Sequence, residues 1–68
     1  MNDAAYKKIE VIGTSPKSFA DAAARAVAKA SESLHGLNWF EVTEMRGRIS
    51  DGKIDQYQIS VKLGMKLD

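Results

Sequence analysis

Four side chains in this 68-residue sequence have the types needed to hold a ligand: Trp39, the only tryptophan, together with Gln58, Arg46 and Lys66. An indole offers a flat, electron-rich face for stacking. A carboxamide offers two donors and an acceptor at one point. Arg46 carries a planar fork of donors matched to a phosphate or carboxylate, and equally to an acidic residue of a neighbouring subunit. Lys66 has the same two readings, and Trp39 has an alternative of its own, because aromatic residues are also enriched at subunit interfaces. Gln58 taken alone reads as a solvated strand residue.

Catalytic chemistry has little to work with. The sequence holds no cysteine and one histidine, His35, so it lacks a thiol nucleophile and a histidine pair for a metal. The segment Gly13-Thr14-Ser15-Pro16 has one glycine and no following Gly-Lys pair, unlike a phosphate loop. An enzyme is not expected. Ten basic against nine acidic residues, a net charge of +1, give no field suited to nucleic acid or a membrane. That balance also argues against a small βαββ nucleic-acid binder, which needs aromatics interleaved with a basic surface. The N-terminal MNDAAYKK lacks the apolar core of a signal peptide, and no apolar run approaches the roughly 20 residues of a membrane span. A cytoplasmic protein is the expectation. The length fits one domain, residues 1–68, and so short a chain buries a small fraction of its surface. Without disulfides or a structural metal, oligomerisation is the remaining route to stability.

The elements that position these residues follow from periodicity. Tyr6 to Ile12 alternates, with Ile9 and Val11 on one face and Lys8 and Glu10 on the other, which predicts a half-buried strand ended by the Gly-Thr-Ser-Pro segment. A helix follows, starting either at Ser18 with Asp21 three residues on or at Ser15 with Pro16. Phe19, Ala22, Ala23, Ala26, Val27, Ala30 and Leu34 form its apolar stripe, small enough to sit close to a sheet. His35 suits its last turn, and Gly36 is the expected left-handed stop. Leu37 to Ser50 and Lys53 to Leu67 then alternate on either side of Asp51-Gly52, a pair that favours a two-residue type I′ turn.

If Ser50 faces Lys53, a continuous register pairs Phe40 with Leu63 and Val42 with Val61 on the face toward the helix, with Ile59 and Tyr57 continuing the row. Trp39, Glu41, Thr43 and Met45 then oppose Gly64, Lys62, Ser60 and Gln58 on the other face. Trp39 has no bulky neighbour across the ladder. The fold expected is α+β, with element order β-α-β-β and a three-stranded antiparallel sheet in the order 1-3-2 on one helix. A helix from Ser18 to His35 spans roughly 27 Å and a strand from Leu37 to Ser50 roughly 45 Å. The hairpin must therefore overhang its helix, and the overhang is the natural place for subunit contacts. Glu44, Arg46 and Arg48 fall on the overhanging part of the helix face in this register. Trp39 and Gln58 lie roughly 20 Å apart along the strand, so one small ligand reaches both only if different subunits share it. A bulge near Gly47 would alter which face Gln58 shares with Trp39.

The segments VIGTSPKSF, LNWFEV, MRGRI and YQISVKLGM, in this order and spacing, resemble the dodecin family over nearly the whole chain. The resemblance implies a βαββ subunit assembled into a hollow homododecamer that binds flavins in pairs. It implies that tryptophans of symmetry-related subunits sandwich two isoalloxazine rings at a two-fold axis, and that a glutamine hydrogen-bonds the polar edge of the ring. By motif these are Trp39 in NWFEV and Gln58 in YQISV. Arg46 in EMRG matches a position that is usually basic in bacterial dodecins, near the flavin or a subunit contact, and Lys66 in GMKL matches one that is often arginine. The ligand implied is FMN, riboflavin, FAD or lumichrome, with coenzyme A as a second ligand of some members, for which this sequence shows no specific motif. The function implied is storage or sequestration with photoprotection, since an indole stacked on an excited flavin quenches it by electron transfer. The competing reading is a structural oligomer with a vestigial pocket.

Overall fold

The computed structural model describes residues 3–67, so the domain expected over 1–68 extends beyond the described part at both ends. Four elements follow one another: β1 (Tyr6–Ser15), α1 (Phe19–Ser31), β2 (Leu37–Ser50) and β3 (Lys53–Lys66). They form a three-stranded antiparallel sheet in the order β1-β3-β2. This is the α+β, β-α-β-β arrangement that the periodicity predicts.

β1 runs three residues further than expected, through Gly13, Thr14 and Ser15, which pair with Ile59, Gln58 and Tyr57. Gly13 does not end the strand. A Cβ at this position would strike the carbonyl oxygen of Ala22 and approach the Ala26 Cβ to 2.8 Å, so the glycine lets α1 lie directly on the strand. Ala22 and Ala26 are correspondingly buried, forming the core with Ile59, Val61 and Leu63, while Ile9 and Val11 pack around them. Burying Val61 and Leu63 contributes on the order of 1.5–3 kcal/mol each.

Of the two possible helix starts, Ser18 is the one used: its hydroxyl accepts from the Asp21 amide at 2.9 Å. Ser15 instead braces the turn from inside. It is buried, its Oγ accepts from the Lys17 amide at 2.9 Å, and it donates to Asp21 Oδ2. The Ser15 hydroxyl, helped by Arg25 and opposed by desolvation, holds the Asp21 carboxyl below its ordinary range. The helix ends at Ser31, four residues before His35. Ser31 Oγ donates to the Val27 carbonyl at 2.8 Å, the kind of competition for a backbone partner that weakens a helix end. Gly36 does adopt a positive φ of 75°, beyond an irregular turn rather than as the helix cap.

The hairpin turn is as expected, with Asp51 at φ 51° and Gly52 at φ 73° and Ser50 opposite Lys53. The register, however, is interrupted between Leu37 and Trp39, between Val42 and Glu44, and between Arg48 and Ile49. Trp39 still faces Gly64 and Phe40 still faces Leu63, but beyond the second break Glu44 faces Ser60, Met45 faces Ile59 and Arg46 faces Gln58. Thr43 is the extra residue, a β-bulge that exchanges the faces of everything after it. Met45 consequently moves to the helix face, while Glu44, Arg46 and Arg48 move to the Trp39 face. The charges that a continuous register would put under the overhang are not there. Gly47 is not a bulge and pairs with Tyr57.

The helix covers β1 and β3 and barely reaches β2. Phe40 and Val42 are not covered as expected: Phe40 is 51% exposed and Val42 46%. Between α1 and β2 an apolar cleft opens, lined by Phe19, Ala23, Val27, Phe40, Val42 and Met45. Further out, Ile49 and Ile54 form a cross-strand pair and are mostly exposed. The overhang itself is real, in a chain 57 Å long and 13 Å thick.

Candidate ligand-binding face

The sheet face away from α1 carries two clusters of side chains. At one end, Trp39 lies over Gly64 in the neighbouring strand β3. A Cβ on Gly64 would strike three adjacent indole atoms, Cδ2, Cε2 and Cζ2, so the ring lies face-on over the glycine. Tyr6 meets it edge-on, with ring centroids 5.1 Å apart and planes at 70°. The indole Nε1 donates to Glu41 Oε2 at 2.8 Å, and Glu41 is paired with Lys8 Nζ at 2.8 Å. The Lys8 hydrogen bond first, and then that of the indole, hold the Glu41 carboxyl below its ordinary range against the opposing effect of desolvation. One indole face is thus seated on backbone, the N–H is held by Glu41, and Tyr6 packs T-shaped against the ring.

The second cluster is polar. Arg46 Nε donates to Gln58 Oε1 at 3.0 Å, and Arg46 Nη1 donates to Glu44 Oε1 at 3.2 Å and to the buried Ser60 hydroxyl at 3.1 Å. Gln58 Nε2 donates to Gln56 Oε1 at 2.8 Å. Arg48 and Asp55 close the row with an ion pair at 3.0 Å. The bulge at Thr43 creates this cluster, since a continuous register leaves Gln58 opposite Met45.

The structure therefore brings together Arg46 and Gln58, which the sequence reading put on opposite faces. It keeps Trp39 apart from both, because its partner Gly64 is separated from Gln58 by the length of β3 between them, roughly 20 Å. Lys66 pairs with Tyr6 at the Trp39 end and is exposed. The sequence reading assigned no role to Glu41, Tyr6 or Gln56. For Glu41 the signal was present, because residues 39 and 41 share a face of any strand and a carboxylate beside an indole N–H has an obvious bond to make. Tyr6 needed the β1–β3 register.

Among the described residues, no group of three or more His, Cys, Asp or Glu side chains is placed to hold a metal. No helix among them is long and apolar enough to cross a membrane.

Comparison with known proteins agrees with this architecture. The family model described as Dodecin matches residues 5–68. A dodecin of Thermus thermophilus is 40% identical over 63 residues, covering 93% of this chain and 91% of that protein. A protein of Mycobacterium tuberculosis named calcium dodecin is 40% identical over 63 residues, covering 91% of this chain and 87% of its own length. The solved structure of dodecin from Streptomyces coelicolor superposes with a TM-score of 0.93 at 44% identity, covering 100% of this chain and 97% of that one. With the same element order and sheet topology, and with matches that span nearly its full length, this chain belongs to the dodecin family.

Proposed function

We propose that this chain is a flavin-binding storage or sequestration protein without catalytic turnover, acting as a cytoplasmic homododecamer of single-domain subunits. The observation that carries the reading is the seating of Trp39: one indole face on Gly64 and the N–H on Glu41. That arrangement fixes an electron-rich plate before any ligand arrives, which lowers the ordering cost of stacking. A flat, electron-poor isoalloxazine is the complementary partner, as FMN in the first instance, with riboflavin, FAD or lumichrome sharing the same ring. Quenching of the excited flavin by the indole makes binding protective.

The separation of Trp39 from Gln58 supports a site shared between subunits, with the tryptophan from one and the glutamine from another. Assembly is further supported by the apolar cleft beside α1 and by the uncovered Ile49 and Ile54, since contiguous exposed apolar surface marks interaction sites. Coenzyme A remains a second ligand by family likeness alone. Flavin is favoured over calcium, the ion in the name of the mycobacterial relative, because Glu41, Asp21, Glu44 and Asp55 are spent on Lys8, Arg25, Arg46 and Arg48 and no three of the described acidic side chains converge.

Titration of FMN into the apoprotein should quench flavin fluorescence strongly, and Trp39→Ala should abolish most of that quenching. Undiminished quenching in the variant removes Trp39 from the site. The rival reading, a structural oligomer with a vestigial pocket, draws on the same exposed apolar surface. A colourless purified assembly that leaves added flavin fluorescent would favour it.

A further inference from the structure

We infer that Arg46 and Gln56 are positioning residues that lock the Gln58 carboxamide in one orientation, so that it reads an N–H beside a C=O on the ligand edge. This deepens the flavin reading and rests on it.

The argument begins with the inventory of the amide. Its oxygen has two acceptor sites and its nitrogen two hydrogens. One site on Oε1 is taken by Arg46 Nε at 3.0 Å, and one hydrogen on Nε2 is given to Gln56 Oε1 at 2.8 Å. Turning the amide over would set its NH2 against the Arg46 donor and its oxygen against the Gln56 acceptor. The Arg46 contact would become repulsive because a guanidinium has donors only, whereas Gln56 could turn its own amide to follow, so Arg46 fixes which end points where and Gln56 holds the second hydrogen. What remains is one acceptor site on the oxygen, on the Arg46 side, and one hydrogen on the nitrogen, on the Gln56 side. An imide or lactam edge complements that pair, its N–H meeting Oε1 and its carbonyl accepting from Nε2.

Arg46 is itself held in place. Its Nη1 is bonded to Glu44 at 3.2 Å and to Ser60, which is 2% exposed, at 3.1 Å. It therefore approaches Gln58 as a fixed group, and its guanidinium polarises the amide so that the remaining Nε2–H becomes a stronger donor. The bulge at Thr43 brings Arg46 opposite Gln58. With Nε and Nη1 committed to Gln58, Glu44 and Ser60, Arg46 acts through Gln58 rather than as a contact for a ligand phosphate.

The test is fluorescence-quenching titration of the assembled protein with riboflavin, N3-methylriboflavin and FMN. Wild type should bind riboflavin at least about tenfold better than the N3-methyl compound, which has no N–H to offer. Arg46→Met should weaken riboflavin and FMN in parallel by about tenfold while leaving N3-methylriboflavin unchanged, so the discrimination ratio collapses. Gln56→Leu, on the other side of the amide, should lower the same ratio, and it carries the test if Arg46→Met fails to assemble. Loss of FMN binding alone would make Arg46 a phosphate contact and overturn the proposal. Equal loss for all three ligands, with the ratio preserved, would reduce Arg46 to a structural role and also overturn it. If wild type quenches none of the three, the flavin reading itself falls, whatever the variants do.

Discussion

The inner face of the sheet has two regions that differ in almost everything except backbone geometry. Under α1, Ile59, Val61 and Leu63 are at most 3% exposed and pack on the small stripe of Ala22 and Ala26. Beyond the helix, the same face continues with Met45 at 58% exposure, Ile54 at 60% and Ile49 at 73%. The ladder is hydrogen-bonded through both regions. What differs is the presence of a covering layer, and only the first region has one within the chain. The covered region makes the subunit, and the uncovered one is where the proposed assembly must supply the missing layer.

The contrast is sharpest for substitutions of similar size. Leu63→Ala removes a side chain from the covered region and should destabilise the subunit by about 2–5 kcal/mol, the cost of a cavity in a packed core. Urea unfolding measures it. Ile49→Ser with Ile54→Ser should leave the subunit fold intact by circular dichroism but shift sedimentation toward small species. If that double variant assembles normally, the overhang is not an interface and the contrast loses its functional meaning. The smallest effect belongs to the outer face. The Glu41 carboxyl is depressed in the folded state, so its contribution is fully present above the ordinary glutamate range and is lost as pH falls through that lowered value. Glu41→Gln lacks this term. The gap in thermal midpoint between variant and wild type should narrow with acidification below that range, whereas a constant gap would show that Glu41 acts through shape alone.

Much of this arrangement was legible in the sequence. The helix stripe, the Asp51-Gly52 turn, the bounds of β2 and the pairing of Trp39 with Gly64 all follow from local rules. The extension of β1 was not legible, because Gly-Thr-Ser-Pro reads locally as a terminator. Gly13 stays in the strand only because a helix must approach it. The bulges were hidden for a different reason. From Glu41 to Arg48 polar residues stand on both faces, with Val42 and Met45 the only large apolar side chains, so the segment carries too little hydrophobic pattern to fix a register. In consequence a continuous register puts Arg46 and Gln58, companions at the proposed site, on opposite faces of the sheet.

The bulge at Thr43 adds a residue to β2, and the break between Arg48 and Ile49 adds one, Asp55, to β3. The two behave like a frameshift and its suppressor. Between them lies a short cassette, Glu44 to Arg48 against Gln56 to Ser60, read one step out of phase with the chain on either side. The turn still closes on Ser50 and Lys53 as though nothing had been inserted. Pairing Thr43 directly with Ser60, with no bulge, would send Arg46 to the inner face and Met45 to the outer one, inverting the cassette. The polar reading head and the greasy underside of the overhang are thus written in one tract of sequence, kept apart by a single residue of phase.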